Sequence, residues 1–261
     1  MAGRRLDEAV AANAGITRSR ARSLIIAGRV RVDGRTLTKP GTTIAPAASL
    51  TVERPQPYVS RGGEKLEGAL RDFGVDVRGR RALDVGASTG GFTDCLLAHG
   101  AQHVVALDVG YGQLEYRLRA DERVTVIERC NFRLVPDDRF GPEFGVITID
   151  TSFISVVTMI ERAQAFLQPQ GEIVALIKPQ FEAGPARLGS GGVVRDPAVH
   201  RAILRETSAA IQRLRLVPVA LTRSALRGPA GNIEFFALVR AEGAPVDDAT
   251  IDRLGAEGEA T

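Results

Sequence analysis

The sequence predicts a doubly wound α/β domain of about seven strands behind a small α+β head. Three observations carry that prediction. From residue 82 onward, apolar runs alternate with helical patterns, as in parallel sheets covered on both faces. A glycine-rich turn, Gly86–Gly91, joins the first of these runs to a helix start. A stiff Pro55-Gln56-Pro57 segment divides this region from a basic head. The boundaries are 1–54 for the head, 55–60 for a linker and 61–240 for the α/β domain. Residues 241–261 are acidic and poor in large apolar groups, and are expected to form a loose tail.

In the head, Leu6, Val10 and Ala14 mark one apolar helix face. Thr17 reads as the N-cap of a helix through Ala27, and Gly28 stops it. Arg29–Arg35 alternates as a strand and carries Asp33-Gly34, a hairpin signal. Lys39-Pro40-Gly41 is a turn, and Ser49–Val52 a strand. In the larger domain, Leu66, Ala69, Leu70 and Phe73 have helical spacing, ended by Gly74. The expected strands are Ala82–Val85, His103–Val109, Val124–Glu128, Val146–Asp150, Ile173–Ile177, Leu216–Leu221 and Ile233–Val239. Helices are expected over Val156–Leu167 and from Asp196-Pro197 to about Leu214, with aspartate at the cap and proline in the first turn.

Composition bounds the function class. With 44% hydrophobic and 25% charged residues, this is the make-up of a globular protein. No apolar stretch is long enough to span a bilayer, and the basic start lacks an apolar core to act as a secretory signal. Cys95 and Cys130 are far apart, and His99, His103 and His200 offer no metal-site spacing. A reduced, cytoplasmic setting without a bound metal is expected. The net charge of +3 is unevenly spread. Residues 1–59 hold 10 Lys+Arg against 4 Asp+Glu, whereas residues 60–261 hold 24 against 27. A basic head suits a polyanion. Arg4, Arg5, Arg18, Arg20, Arg22 and Lys39 are the candidate phosphate contacts.

The segment Leu83-Asp84-Val85-Gly86-Ala87-Ser88-Thr89-Gly90-Gly91-Phe92 is strand, turn and helix start, yet it lacks the spacing of a dinucleotide fingerprint. Asp84 before the turn favours a cationic group rather than a pyrophosphate, which points to S-adenosylmethionine. Asp108, at the end of the next strand, can accept two ribose hydroxyls.

Of the 34 basic side chains only Lys39, Lys65 and Lys178 are lysine. Lysine can lose its proton when desolvated, whereas arginine effectively never does. Asp150 ends the fourth strand of the domain and Lys178 follows the fifth. Lys65 precedes the first, and Glu234 begins the last. If that last strand is antiparallel, all four reach the carboxyl edge of the sheet. Two structural salt bridges would give the same pairs. Their shared edge, and the choice of lysine, favour chemistry.

The chain resembles the TlyA family over nearly its whole length. The resemblance rests on Ser60-Arg61-Gly62-Gly63-Glu64-Lys65-Leu66, Asp84–Thr93, Asp108-Val109-Gly110-Tyr111-Gly112-Gln113-Leu114, Ser152-Phe153-Ile154-Ser155, Lys178-Pro179-Gln180-Phe181-Glu182 and Gly231-Asn232-Ile233-Glu234. It implies an S4-like RNA-binding head and an FtsJ-like, Rossmann-type methyltransferase domain of seven strands, the last antiparallel. It further implies 2′-O-methylation of cytidine in ribosomal RNA by a Lys65, Asp150, Lys178, Glu234 tetrad. The cofactor candidates are Asp84, Gly86, Ala87, Ser88, Gly90, Gly91, Phe92, Asp108, Val109, Asn131 and Asp150. The chain departs from the family pattern at Gln56-Pro57-Tyr58-Val59, at Thr151 and at Cys130. The glycine-rich loop Glu182–Gly192 is expected to act as a mobile lid. Two other classes compete: a non-catalytic ribosome-binding factor, and a membrane-active haemolysin, which the lack of a basic amphipathic membrane helix disfavours.

Overall fold

A computed structural model describes residues 3–52 and 57–256. The chain divides into two compact units, Met1–Gln56 and Pro57–Thr261. Residues 55 and 56 of the expected linker lie outside the described residues. Residues 57–60 belong to the second unit, where Tyr58 is buried and the Val59 N–H donates to Asp94 Oδ2 at 2.8 Å.

The first unit begins with strand β1 (Arg4–Arg5) and helices α1 (Leu6–Ala14) and α2 (Arg18–Ile26). Strands β2 (Val30–Val32), β3 (Arg35–Thr36), β4 (Thr43–Ile44) and β5 (Leu50–Val52) follow. Thr17 caps α2, its hydroxyl accepting the Arg20 N–H at 3.3 Å. Asp33 and Gly34 both take positive φ, 48° and 78°, as a tight hairpin between β2 and β3 requires. Leu6, Ala9, Val10, Leu24, Ile25 and Val30 form the core. Ala14, expected on the apolar face of α1, is exposed, because the helix ends there and Ala9 supplies the buried position instead.

The second unit opens with α3 (Arg61–Phe73). Strands β6 (Arg81–Val85), β7 (His103–Leu107), β8 (Val124–Ile127), β9 (Phe144–Ile149), β10 (Leu167–Ile177), β11 (Val217–Arg223) and β12 (Phe235–Arg240) build one sheet, ordered β11-β12-β10-β9-β6-β7-β8. Helices α4 (Gly91–Ala98), α5 (Tyr116–Arg119), α6 (Val156–Ala163), α7 (Pro179–Glu182), α8 (Pro197–Arg213) and α9 (Asp248–Ala256) connect and cover it. Among the described strands of this sheet, only β12 runs against its neighbours, pairing antiparallel with both β10 and β11. The strand alternation sorts side chains between two cores. Leu83, Val85, Val105, Leu107, Ile147, Ile149 and Ile173 pack on one face with α6 and α8. Ala82, Val104, Ala106, Val146, Val174 and Leu176 pack on the other with α3 and α4.

The expected loose tail needs correction over 248–256. There Ile251 and Leu254 are buried, and Arg205 pairs with Asp248 at 3.0 Å and Asp252 at 2.6 Å, which fastens α9 to α8. Two well-spaced apolar residues were enough to dock a helix of low average hydrophobicity. The segment after Lys178, expected as a mobile lid, is fastened at both ends. The Glu182 carboxylate accepts from Ser155 Oγ at 2.7 Å and from the Val156 N–H at 2.8 Å. Asn232 Oδ1 accepts the Val194 N–H at 2.9 Å, and Asn232 Nδ2 donates to the Gly192 carbonyl at 3.2 Å.

Candidate active site

The carboxyl ends of β6, β7 and β9 share one edge, and the chain leaves it through short turns. After β6, Gly86 takes φ 86°, and a Cβ there would sit 2.3 Å from the Asp150 carbonyl oxygen. Only glycine lets the turn pass this close to the end of β9. The Gly86 and Ala87 N–H groups donate to the Leu107 carbonyl at 2.9 and 3.1 Å, which pins the turn to β7. Asp108 then fixes both neighbouring loops, its carboxylate accepting the Ser88 N–H at 2.8 Å and the Gly110 N–H at 2.6 Å.

A cleft of about 640 Å³ opens beside these turns. Of the cofactor candidates, Gly86, Ser88, Asp108, Val109, Asn131 and Asp150 line it, and Ala87 lines a small pocket that shares Ser88 and Asp108. Gly90, Gly91 and Phe92 do not line it. Gly91 admits Ser60, whose Oγ would lie 2.2 Å from an added Cβ, and Phe92 packs against Phe236 with ring centroids 6.0 Å apart. Their part is to seat α4. Gln113, Ser152, Phe153 and Met159 also line the cleft and were not among the cofactor candidates, although the first three fall in stretches that carry the family resemblance. Gln113 carried a signal, being a polar side chain in a glycine-rich turn just after Asp108. Phe153 lies in a stretch that carries the family resemblance, but its 91% exposure and its φ of 65° are facts of three dimensions.

The expected role of Asp84 needs correction as well. It has no exposed surface, so it is not an open acceptor for a cationic group. Thr93 Oγ1 donates to its Oδ2 at 2.7 Å, and Thr148 Oγ1 to its Oδ1 at 3.1 Å. Burial pushes this carboxyl up to about 7, the two threonine hydroxyls oppose that rise, and the charge of Asp150 adds to it. Asp84 holds β6, β9 and α4 together beneath the turn.

The tetrad candidates meet as two ion pairs. Lys65, buried on α3, donates from Nζ to Glu234 Oε2 at 2.5 Å. Lys178 Nζ lies 2.5 Å from Asp150 Oδ1 and donates to Ser152 Oγ at 3.2 Å. The pairs are neighbours by register. Ile177 is paired with Phe235 across β10 and β12, and Lys178 and Glu234 are the next residue on each strand. Ala175 is paired with Ile149 across β10 and β9, which places Asp150 close to Lys178 on the adjoining strand. Asp150 belongs both to a pair and to the cleft wall. The arrangement can hold a cofactor in the cleft and set an amine at its rim.

These features have counterparts in known proteins. Residues 58–241 match the FtsJ-like methyltransferase family, and residues 4–48 match the S4 domain. A 16S/23S rRNA (cytidine-2′-O)-methyltransferase TlyA of Mycobacterium tuberculosis is 44% identical over 246 residues, 93% of this chain and 92% of the relative. The chain belongs to the TlyA family. A second relative, Hemolysin A of Brachyspira hyodysenteriae, is 43% identical, covering 89% of this chain and 98% of its own length. A solved structure, named as a hemolysin of Streptococcus thermophilus, superposes with a TM-score of 0.75 at 37% identity, over 99% of this chain and 96% of that one. Among the described residues no helix is long and apolar enough to cross a membrane.

The S4-type unit places its candidate phosphate contacts unequally. Arg5, Arg18 and Arg22 gather on Asp7, whose carboxylate is fully buried and accepts from all three guanidinium groups at 3.0 to 3.3 Å. Arg5 first, then Arg18 and Arg22, hold that carboxyl well below the usual range against the opposing effect of burial. Arg4 donates to the Glu8 carbonyl at 2.9 Å, and Arg20 and Lys39 are exposed. The three clustered arginines stay about half exposed, so they are held without being hidden.

Proposed function

We propose that this protein transfers a methyl group from S-adenosylmethionine to the ribose 2′-hydroxyl of a cytidine in ribosomal RNA. One observation carries the reading: two lysine–carboxylate pairs converge at the carboxyl edge of the sheet, with Asp150 shared between a pair and the cleft.

The residues at the cleft suit the cofactor. Its volume lies in the range of small-molecule sites. Each Asp108 oxygen is engaged by one backbone N–H and keeps a lone pair for a ribose hydroxyl. The bare backbone at Gly86 leaves room where a side chain would collide. When bound, S-adenosylmethionine supplies an electrophilic methyl group on its sulfonium.

The protein's own part is to handle one proton. A 2′-hydroxyl is a weak nucleophile until that proton is shared or removed. Lys178, partly neutral because bound RNA strips it of water beside the Lys65 cation, accepts that proton on the lone pair of Nζ. Asp150 and Ser152 fix the position of that nitrogen. Glu234 locks Lys65 in place as a second cation at the same edge. Orientation of the hydroxyl toward the cleft supplies much of the remaining acceleration. Affinity comes from Arg4, Arg5, Arg18, Arg20, Arg22 and Lys39 on the S4 unit, which meet phosphates without reading sequence. Work on ribosomal RNA fits a cytoplasmic setting.

The test is incubation with tritiated S-adenosylmethionine and purified ribosomal subunits or naked ribosomal RNA. Label is expected in 2′-O-methylcytidine. Absence of label from both substrates overturns the reading.

A further inference from the structure

Lys178 and Glu182 stand at the two ends of α7, as its N-cap and its last residue. Opposite them runs the stretch from Asp150 to Val156, which forms one wall of the cleft from Asp150 through Ile154. The two stretches are fastened at both ends. At one end Lys178 meets Asp150 at 2.5 Å and Ser152 at 3.2 Å. At the other, Glu182 accepts from Ser155 Oγ at 2.7 Å and from the Val156 N–H at 2.8 Å. Between the fastenings the Phe181 and Phe153 rings lie 5.0 Å apart, and Lys178 Nζ lies 5.9 Å from the Phe181 ring centroid. Phe153, though largely exposed, holds a left-handed φ of 65°, a costly conformation for a bulky side chain.

We infer that Glu182 is a positioning residue for methyl transfer, setting Lys178 against the cleft wall through its grip on Ser155 and Val156. The inference rests on the proposed role of Lys178 as the proton acceptor. Its chemistry is specific. The carboxylate serves two donors at the start of α6, one a side-chain hydroxyl and one a backbone N–H that no earlier turn of helix can satisfy. It is mostly buried, and burial raises its carboxyl, opposed by the two donors. Losing it frees α7 to slide along the wall, and Lys178 shifts with its helix. A shift of about 1 Å in a reacting group costs on the order of 10²-fold in rate.

The experiment measures kcat, KM for both substrates and thermal unfolding for Glu182→Ala, Glu182→Gln and Lys178→Arg, with tritiated S-adenosylmethionine and ribosomal RNA. For Glu182→Ala, kcat is expected to fall roughly 10- to 100-fold while KM for S-adenosylmethionine stays within about twofold. Glu182→Gln is expected to recover most of kcat, since its amide oxygen still accepts the Val156 N–H and its NH2 can donate to Ser155. If Glu182→Ala does not fold, Ser155→Ala removes one of the two donors and should lower kcat by a smaller factor. A folded Glu182→Ala with normal kcat, beside an inactive Lys178→Arg, overturns the positioning role alone. Loss of cofactor affinity or stability with kcat unchanged overturns it equally. A fully active Lys178→Arg overturns the proton-acceptor role and this inference with it.

Discussion

Lys65 and Glu234, 169 positions apart in the chain, meet at 2.5 Å where solvent scarcely reaches either. An ion pair in that setting is weak evidence for stability, because desolvating both charges offsets much of their attraction. Its placement is more telling, where the first turns of α3 meet the residue before β12, next to Lys178 by strand register. Removing one partner strands the other. Glu234→Ala is expected to destabilise the fold by about 3–5 kcal/mol and to abolish methyl transfer. Glu234→Gln, which can still accept from Lys65, should cost less stability. Urea unfolding read beside transfer activity checks both.

Lys178→Arg keeps positive charge and reach but cannot accept a proton at working pH. Transfer is expected to fall by about 10²–10⁴-fold with S-adenosylmethionine affinity unchanged. Normal turnover by this variant would remove Lys178 from the chemistry and leave it a structural partner of Asp150.

The arginine cluster on Asp7 predicts a salt signature. Replacing Arg5, Arg18 and Arg22 together by alanine should weaken RNA binding across unrelated sequences. It should also flatten the dependence of log affinity on log salt by about 2, at roughly 0.7–0.9 for each phosphate no longer neutralised. A weaker affinity with an unchanged slope would mean that the cluster folds the unit without touching RNA.

Asp84 and His200 predict opposite responses to pH. Asp84 titrates near 7 in the folded protein, above its unfolded value, so the folded state holds the extra proton. Its contribution is fully present below about 4 and is lost as pH rises toward 7. Stability of the native protein minus that of Asp84→Asn should therefore decline across this window.

His200 is buried on α8 against Phe235, ring centroids 5.6 Å apart. Burial lowers its pKa. The charges of Arg223 and Arg227 add to that, and the Val194 backbone and Asp196 oppose it. Its contribution is present above the unfolded value of about 6.5 and is lost as pH falls below it. His200→Leu should blunt that acid loss in pH-dependent unfolding.

What the sequence disclosed follows the range of the interactions. The strands from Ala82 to Ile177 announced themselves by continuous apolar runs, and the shared edge of Asp150, Lys178 and Glu234 followed from strand order. Helix caps such as Thr17 and Asp196 are local and were legible. The burial of Asp84 was not, because its partner Thr148 comes from a strand 64 residues away. The gathering of three arginines on Asp7 was hidden for the same reason, since Arg22 lies 15 positions on. Helix α9 escaped notice because its docking rests on Ile251 and Leu254 amid acidic residues.

The reversed course of β12 sets a rule for change in this protein. Because Glu234 immediately precedes Phe235, the first residue of β12, the pairing of Phe235 with Ile177 acts as a ruler for it. A one-residue slip of β12 against β10 would turn the acid onto the opposite side of the sheet. Substitution in the preceding turn, Gly228–Asn232, is confined as well, because Gly231 takes a φ of 91°, a Cβ on Gly228 would meet the Glu234 carboxylate, and the Asn232 amide fastens Gly192 and Val194.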